Sequence, residues 1–280
     1  MRHVAVLGRG RVPADTPILR ADDLGVLRGD GIFETLHVRQ GQPWLLDEHL
    51  ARMARSAARL ELALPDREAL TELAATTCEG WPAETEGALR LICTRGPDGG
   101  GGPVTVFATL APIPDSVRTA RRDGLAVATI TLGVAATVRP EAPWLLGGAK
   151  TISYATNMAS QRWAYAHRLD DVLWVSADGY ALEAPTSALV WLAGDVLCTV
   201  PPGQTGILDS TTARWLLDHA HSRGWRAEER MIRPAELASV DGVWLTSSVR
   251  GAAPIRELDG VQLRRSPHTK AVQDLLGHPV

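Results

Sequence analysis

Two periods of apolar and polar residues alternate along the first part of the chain and predict strands mixed with helices. The stretches VAVLG and GIFETLHVRQGQPWLL have the composition of strands, and the second is predicted to form a hairpin that turns at Gln40-Gly41. Residues 46–62 carry apolar side chains at helical spacing behind Asp47, the predicted N-cap, and a second helix is predicted over 65–78. GALRLICTRG and VTVFATLAPIP are predicted strands on either side of the Gly-rich stretch PDGGGGP.

The pattern restarts near residue 122 and predicts a second domain, which a chain of 280 residues is long enough to form. GLAVATITLGV is a predicted strand, and a helix is predicted over 154–168. The stretch DDVLWVSADGYALEAPTSALVWLAGDVLCTV predicts three strands with tight Asp-Gly and Gly-Asp turns. TTARWLLDHAHSRG is a predicted helix that ends at Gly224, and GVWLTSSV is a further strand. We predict a smaller α+β N-terminal domain over 1–115, a connection over 116–122 and a larger C-terminal domain over 123–280.

Charge and cysteine usage narrow the class of protein. The net charge of −3 and the pI of about 6.2 give no basic field for nucleic acid or an acidic membrane. No window approaches 18 apolar residues, and the N-terminus lacks the features of a signal peptide. The three cysteines, Cys78, Cys93 and Cys198, lack metal-ligand spacing and are expected to be buried thiols. We expect a cytoplasmic protein with no metal site, no nucleic-acid partner and no membrane segment.

Lysine is rare in this chain, which draws attention to Lys150. Of the 29 basic residues only Lys150 and Lys270 are lysines. Arginine replaces lysine in ion pairs but cannot act as an amine nucleophile, because it stays protonated in proteins. Lys270 lies in the polar stretch RRSPHTKAVQD, whereas apolar and small residues flank Lys150 in WLLGGAKTISYATNM. Burial there lowers the pKa of an amine and favours the neutral form that attacks a carbonyl. Composition alone leaves two interpretations, a catalytic lysine or a lysine at the start of a helix.

Four separated motifs occur in a fixed order over nearly the whole chain. They are RGDGIFETL followed by EHLARMARSA, then GGAKTISYATNM, DGYALEAPTSALVWL and GILDSTTARWLL. Together they resemble the fold-type-IV pyridoxal-phosphate enzymes, a group of branched-chain, D-amino acid and (R)-amine transaminases and aminodeoxychorismate lyase. The resemblance implies a two-domain fold, α+β and α/β, like that of D-amino acid aminotransferase. It also implies pyridoxal 5′-phosphate as cofactor and a homodimer.

The resemblance assigns roles to residues around the cofactor ring. Lys150 matches the lysine that holds the cofactor as a Schiff base and then moves a proton between the substrate Cα and the cofactor C4′. Arg52 matches the arginine that binds the phosphate, and Tyr154 matches a tyrosine that bonds the phenolic oxygen. Glu183 is placed opposite the pyridine nitrogen, where a carboxylate keeps the ring protonated. The alternatives are an ordinary exposed helix arginine for Arg52 and a buried aromatic for Tyr154.

The same resemblance predicts further cofactor-binding residues in GILDSTTARWLL and WLTSSV. Thr211 and Thr212 are expected to offer N–H groups and a hydroxyl to the phosphate at a helix N-terminus, although N-capping alone also explains them. Ser247 and Ser248 align with hydroxyl residues on the opposite side of the phosphate. Leu208 is also assigned to the cofactor site.

The substrate motifs of the known subgroups are only partly present. The stretch TRGPDGGGGP lacks the Arg-His pair of the common D-amino acid transaminases, and Ala88 replaces the tyrosine of branched-chain enzymes. Arg28, Phe33 and Arg90 are the predicted substrate-binding residues, with Arg28 supplied by the neighbouring subunit. Two guanidinium groups suit a carboxylated substrate such as glutamate or 2-oxoglutarate.

The sequence therefore predicts a transaminase that acts on a D-amino acid of the alanine or glutamate type and a 2-keto acid. The main alternative is an aminodeoxychorismate lyase that releases pyruvate and forms 4-aminobenzoate. A branched-chain or (R)-amine transaminase, and a binding protein that has kept the fold without the activity, are the further alternatives.

Overall fold

The computed structural model describes residues 1–99 and 102–279 and divides into two compact units. The first unit contains 1–114 and 149–154, and the second contains 115–148 and 155–280. Gly100 and Gly101 of the predicted PDGGGGP loop lie outside the described residues. Within the described ranges, no helix combines the length and apolar character needed to cross a membrane.

The first unit is built on an antiparallel sheet in the order β2-β1-β6-β5-β3-β4. Its strands are β1 (His3–Val6), β2 (Gly10–Val12), β3 (Gly31–Arg39), β4 (Gln42–Pro43), β5 (Gly87–Thr94) and β6 (Thr105–Pro112). The predicted hairpin turn is confirmed, because β3 and β4 are joined by Gln40 at φ 51° and Gly41 at φ 72°. Positive φ at both turn residues is what a tight antiparallel hairpin requires.

Helices cover one face of this sheet. They are α2 (Leu46–Arg59) and α3 (Arg67–Cys78), while the short helix α1 (Leu24–Arg28) has no buried residues. Along α2 the buried positions recur at helical spacing and include His49, Arg52 and Ser56 beside apolar residues. The prediction that Asp47 caps α2 is wrong, because Leu45 occupies the N-cap and Asp47 lies in the first turn. There its carboxylate pairs with Arg67 at 2.5 Å on the surface.

The segment 149–154 adds to the first unit's sheet although it follows far later in sequence. Thr151 bridges Ile32 of β3, and the Ile152 N–H donates to the Gly31 carbonyl at 3.0 Å. The predicted helix over 154–168 begins after this segment, as α6 (Ala155–Ala166) of the second unit. Lys150 is therefore held in extended backbone rather than at the start of that helix.

The second unit contains a mixed sheet whose main path is β12-β11-β10-β13-β14-β7-β8. Its strands are β7 (Leu125–Thr131), β8 (Asp171–Val175), β9 (Glu183–Ala184), β10 (Ser187–Ala193), β11 (Val196–Thr199), β12 (Arg226–Glu229), β13 (Gly242–Ser247), β14 (Gly251–Leu258) and β15 (Val261–Gln262). Strand β9 pairs with β10 and β15 pairs with β14. Trp191 and Leu245 lie in the apolar core that this sheet forms.

The helices described in the second unit include four that the sequence pattern did not predict. The unit contains α4 (Asp115–Asp123), α5 (Val138–Glu141), α6, α7 (Pro202–Thr205), α8 (Thr211–His219) and α9 (Thr269–Leu276). Residues 116–122, the predicted connection between the domains, lie in α4, whose Arg121 is buried. Helix α9 was not predicted because the stretch that contains it is polar, yet its Val272 and Leu276 are buried. The predicted end of α8 at Gly224 follows a short 3₁₀ turn, and Gly224 has φ 74°.

Candidate active site

The backbone of Lys150 is fixed in the first unit by hydrogen bonds on both sides. Its N–H donates to the Ser56 hydroxyl on α2 at 3.0 Å. Its carbonyl accepts from the Phe33 N–H on β3 at 3.0 Å. A residue whose amine must act at a defined point benefits from such a rigid main chain.

The Lys150 amine lies between two aromatic side chains. Its Nζ is 3.3 Å from the Tyr154 hydroxyl and 4.4 Å from the centre of the Phe33 ring. The two rings meet edge to face, with centroids 5.0 Å apart. Phe33 and Tyr154 therefore define the path of the lysine side chain. The predicted grouping of Lys150, Tyr154 and Phe33 is present within one unit.

Arg90 lies on the same face of the first unit's sheet as Phe33. The register pairs Phe33 with Ile92 and Thr35 with Arg90, and paired residues of antiparallel strands point to the same side. Arg90 is thus the diagonal neighbour, on the adjacent strand β5, of the Phe33 side chain that contacts Lys150. Its side chain is exposed, and Ala88 beside it leaves space on this face.

Arg28 lies at the end of α1 and is exposed. The next residue, Gly29, has φ 68°, and its carbonyl accepts from the Ser153 hydroxyl at 2.8 Å. The end of α1 is therefore tied to the segment that contains Lys150. No described contact joins the Arg28 guanidinium to the Lys150 amine.

Arg52 takes part in a buried ionic cluster that the sequence did not predict. Its Nε and Nη2 donate to the two carboxylate oxygens of Glu34 at 2.8 and 2.7 Å. His49 Nδ1 lies 2.7 Å from the same carboxylate. All three side chains are at most 5% exposed. The alternative of an exposed helix arginine is therefore excluded, while two of the three guanidinium nitrogens bind Glu34.

Burial and pairing act in opposite directions on this cluster. Burial raises the pKa of the Glu34 carboxyl, but the charge and hydrogen bonds of Arg52 together with His49 outweigh it and hold that pKa well below its usual range. Burial lowers the pKa of His49, and this outweighs the opposing effect of Glu34. Glu34 is therefore ionised at neutral pH, and His49 is neutral there.

The second unit contains the carboxylate predicted to face a pyridine nitrogen. Glu183 lies on the short strand β9, opposite Ala188 of β10. Its two oxygens accept from the Leu208 N–H at 3.3 and 3.4 Å, and Arg139 Nη1 is 3.6 Å from Oε1. The Glu183 side chain is 13% exposed. These contacts are longer than those of Glu34. Arg139 was missed because it lies in a short helix that the sequence pattern did not predict.

Hydroxyl groups gather where α8 begins and where β13 ends. Ser210 is the N-cap of α8 and accepts from the Ala213 N–H at 3.1 Å, so Thr211 and Thr212 follow the cap. Thr212 is fully buried, and its Oγ1 has no hydrogen-bond partner among the described residues. The Thr246 hydroxyl of β13 is likewise buried and has no hydrogen-bond partner among the described residues. The sequence predicted its two neighbours, Ser247 and Ser248, as cofactor-binding residues, but not Thr246.

The two predicted serines follow Thr246. Ser247 Oγ accepts from the Arg250 N–H at 3.3 Å, and Ser248 is buried. A buried hydroxyl that lacks a partner costs free energy unless a ligand supplies one. The Thr212 hydroxyl, in the first turn of α8, and the Thr246 hydroxyl of β13 are donors of the kind that an anionic group such as the phosphate of pyridoxal phosphate needs.

Known proteins resemble this chain over almost its full length. The family model described as amino-transferase class IV matches residues 31–258. A bifunctional aminodeoxychorismate lyase/D-amino acid transaminase of Mycobacterium tuberculosis is 40% identical over 268 residues, 93% of this chain and 92% of that protein.

Solved structures extend the similarity to three dimensions. A hypothetical aminotransferase from Mycobacterium tuberculosis, in a PLP-bound form, matches with a TM-score of 0.94 and 39% identity over 99% of this chain and 97% of that one. An alpha-ketoglutarate and PMP bound form of a hypothetical aminotransferase from Mycobacterium tuberculosis also matches, with a TM-score of 0.94. A fold IV-transaminase from Curtobacterium pusillum matches with a TM-score of 0.92 and 36% identity, covering 98% of this chain and 97% of that one.

Proposed function

Because the chain belongs to the class IV aminotransferase family, we propose that it moves an amino group between a D-amino acid, of the alanine or glutamate type, and a 2-keto acid. The chain is a pyridoxal-phosphate-dependent enzyme, as the sequence predicted. The choice of a D-amino acid and of the acceptor is the part that we propose.

The observation that carries this proposal is the position of Arg90 relative to Lys150. Phe33 of β3 contacts the lysine amine, and Arg90 lies on the same sheet face in the neighbouring strand β5, diagonal to Phe33. Diagonal neighbours on one face of an antiparallel strand pair are about 7–8 Å apart, a distance that a long side chain such as arginine spans. A substrate whose Cα lies at the amine can therefore place a carboxylate on Arg90. A guanidinium is well suited to bind a carboxylate through two hydrogen bonds.

Different residues of the chain are proposed to have different roles in the reaction. The cofactor, when bound, withdraws electrons from the substrate Cα and makes its proton acidic. The Lys150 amine attaches the cofactor and carries that proton, while Phe33 and Tyr154 hold the amine in position. Glu183 is proposed to stabilise a protonated pyridine nitrogen. Thr212 and the hydroxyls beside it are proposed to bind the phosphate.

A lyase activity on the same residues is the second candidate. It is supported by the relative from Mycobacterium tuberculosis whose name includes both aminodeoxychorismate lyase and D-amino acid transaminase. Aminodeoxychorismate is a bis-acid, so two arginines suit it as they suit glutamate. The lyase needs no amino acceptor, which separates the two reactions experimentally.

We also propose a homodimer in which Arg28 of one subunit serves the substrate of the other. The support is the surface of α1, where Val26 is 56% exposed and Leu27 is 51% exposed next to Arg28. Adjacent exposed apolar side chains are typical of a contact surface. Sedimentation at several protein concentrations tests this proposal, and a monomer at all of them contradicts it.

The proposed activity is tested by a coupled assay. D-Glutamate or D-alanine is supplied with a keto acid, and aminodeoxychorismate is supplied alone in parallel. Arg90→Ala is expected to lower kcat/KM for D-glutamate about thirtyfold, or roughly 2 kcal/mol, because one charge-assisted contact is lost. The matched control is Arg59→Ala at an exposed position of α2, which is expected to leave kcat/KM unchanged.

Three results distinguish the candidates. Turnover of the D-amino acids that depends on Arg90 supports the proposal. Strong activity with L-leucine and none with D-glutamate or D-alanine contradicts it and favours a branched-chain enzyme. Release of pyruvate from aminodeoxychorismate with no acceptor present favours the lyase.

A further inference from the structure

The turn that joins β13 to β14 is held from outside by an unusual set of hydrogen bonds. Three consecutive backbone carbonyls, of Ser248, Val249 and Arg250, each accept from a side chain elsewhere in the second unit. His278 Nε2 is 2.7 Å from the Ser248 oxygen. Arg121 Nη2 donates to the Val249 oxygen at 2.7 Å, and its Nε donates to the Arg250 oxygen at 3.0 Å. A turn that stabilised itself would not need all three.

The two residues that supply these hydrogen bonds are themselves buried and fixed. Arg121 is 1% exposed and His278 is 6% exposed. Arg121 Nη1 also donates to the Pro279 carbonyl at 2.7 Å, which ties α4 to the last described residues. Gln273 of α9 donates to the Arg121 carbonyl at 2.8 Å. Burying a guanidinium costs free energy unless its donors are bonded, and here two of the hydrogen bonds that Arg121 donates are to this turn.

The opposite side of the turn is held as well. Arg250 Nη1 donates to the buried Asp171 carboxylate at 2.7 Å and to the Ser187 hydroxyl at 2.9 Å. Gly251, which follows the turn, has φ 68°, and a Cβ there would lie 3.0 Å from the His278 ring. The close packing of that ring on the backbone therefore requires glycine at this position.

Fixing the carbonyls also fixes the N–H groups of the turn. In a trans peptide the C=O and the next N–H point in opposite directions. The N–H groups of Val249 and Arg250 are therefore directed away from Arg121 and His278. The Arg250 N–H does point to the Ser247 hydroxyl, at 3.3 Å. A cationic donor on a carbonyl also polarises the peptide, which strengthens its N–H as a donor.

We propose that Arg121 and His278 are positioning residues for an anion-binding turn at residues 247–251. They hold the turn so that its N–H groups and the Ser247 and Ser248 hydroxyls converge on a phosphate monoester, the phosphate of the cofactor. The proposal rests on the proposed cofactor role of these serines. It adds a residue of α4 and a residue near the C-terminus to the determinants of cofactor affinity.

The test compares two ligands that differ only in the phosphate. Dissociation constants for pyridoxal phosphate and for pyridoxal are measured by absorbance titration of the cofactor-free protein. The wild type is expected to bind pyridoxal phosphate far more tightly. In Arg121→Met and His278→Phe the ratio of the two constants is expected to fall about tenfold or more, the scale of one hydrogen bond to a charged group. Binding of pyridoxal is expected to stay the same.

Arg122→Met is the matched control, because Arg122 is the exposed neighbour of Arg121 and pairs with Asp123. It is expected to keep the wild-type ratio. Arg121→Lys keeps the charge without the forked geometry, so its ratio is expected to fall as well. This variant and His278→Phe replace Arg121→Met in the comparison if that protein does not fold.

The possible results are distinct. An unchanged ratio in the folded variants overturns the inference. An equal loss of affinity for both ligands also overturns it, because a purely structural role predicts that result. A wild type that binds both ligands equally shows that the turn is no phosphate site. A wild type that binds neither ligand contradicts the proposed function itself.

Discussion

The Glu34 cluster of the first unit and the Thr212 and Thr246 hydroxyls of the second unit are two buried polar groups in opposite situations. Glu34 is fully buried, and its carboxylate bonds with Arg52 and His49 are 2.7 to 2.8 Å long. In the second unit Glu183 has contacts of 3.3 to 3.6 Å. Thr212 and Thr246 bury hydroxyls that have no partner within residues 1–99 and 102–279.

This difference separates two ways in which a site can be prepared. The first unit's cluster forms with the fold and contributes to folded stability. The Thr212 and Thr246 hydroxyls of the second unit are buried without a described partner, which costs free energy that a bound ligand can offset, so their contribution appears when the cofactor binds. Variants of Glu34, Arg52 or His49 should therefore change folded stability, whereas variants of Thr212 or Thr246 should change cofactor affinity.

The largest expected effect comes from removing the charge of Glu34. Glu34→Gln leaves the Arg52 guanidinium buried without its carboxylate, and breaking a buried ion pair costs about 3–5 kcal/mol. We expect the free energy of unfolding of the cofactor-free protein, measured in urea, to fall by that amount. The control is Glu48→Gln, which changes an exposed glutamate of α2 and should leave the free energy of unfolding unchanged. A Glu34→Gln protein as stable as the wild type contradicts this account.

Glu34 also sets how stability depends on pH under acidic conditions. Its pKa is lowered on folding, so its contribution is fully present above the ordinary glutamate pKa of about 4.3 and is lost as the pH falls towards the folded value. Urea unfolding of the wild type between pH 5 and pH 3 is therefore expected to show a falling stability. The Glu34→Gln protein is expected to show a flatter profile.

A smaller effect is expected from the two buried hydroxyls of the second unit. Thr212→Val and Thr246→Val each remove a group that has no described protein partner, so the cofactor-free protein should be as stable as before or slightly more so. Cofactor binding is expected to weaken by about 1 kcal/mol in each, the usual value of one hydrogen bond. Titration with pyridoxal phosphate and urea unfolding measure the two quantities.

The control for those variants is Thr199→Val. The Thr199 hydroxyl is also buried, but it donates to the Leu189 carbonyl at 2.8 Å. Removing it should lower folded stability and leave cofactor affinity alone. If Thr212→Val and Thr246→Val lower folded stability and leave cofactor affinity unchanged, as Thr199→Val is expected to do, the distinction between hydroxyls bonded within the protein and hydroxyls that bind the cofactor is wrong.

The smallest effect is the contribution of His49 to the pH dependence near neutrality. Burial lowers its pKa on folding, so the unfolded chain takes up a proton first as the pH falls. Stability should therefore decrease as the pH drops below the ordinary value of about 6.5. His49→Asn keeps a donor beside Glu34 and should remove this part of the slope. An unchanged slope between pH 7 and pH 5.5 would show that His49 does not titrate as described.

The fold was predictable where a local pattern determines the structure. The Gln40-Gly41 turn, helix α2 and the strands on either side of the PDGGGGP stretch each follow from spacing and turn residues within one short window. The fold-type-IV assignment, the enzyme class and the cofactor are confirmed by the family and structural similarities. They came from motifs whose order along the chain carried the information.

The rest depended on contacts between distant segments. Residues 149–154 join a sheet that is built from the first 114 residues, and no local pattern reveals such a pairing. Glu34 was overlooked although the sequence held a signal. Glu34 lies between Ile32 and Leu36 on the same buried face of β3, and a charge in that position requires a partner. The partner was also visible, since His49 and Arg52 are three residues apart on the buried side of one helix.

The central claim is that Lys150 attaches the cofactor, and the chain's composition allows a direct test. Lys150 and Lys270 are the two side chains with an amine that can form the bond, and Lys270 is exposed in an ion pair with Asp274. The purified protein with pyridoxal phosphate is reduced with borohydride, digested and mapped by mass spectrometry. The account predicts the pyridoxyl phosphate mass on the peptide that contains Lys150, and its loss in Lys150→Ala. A label on Lys270, or one that persists in Lys150→Ala, would contradict it.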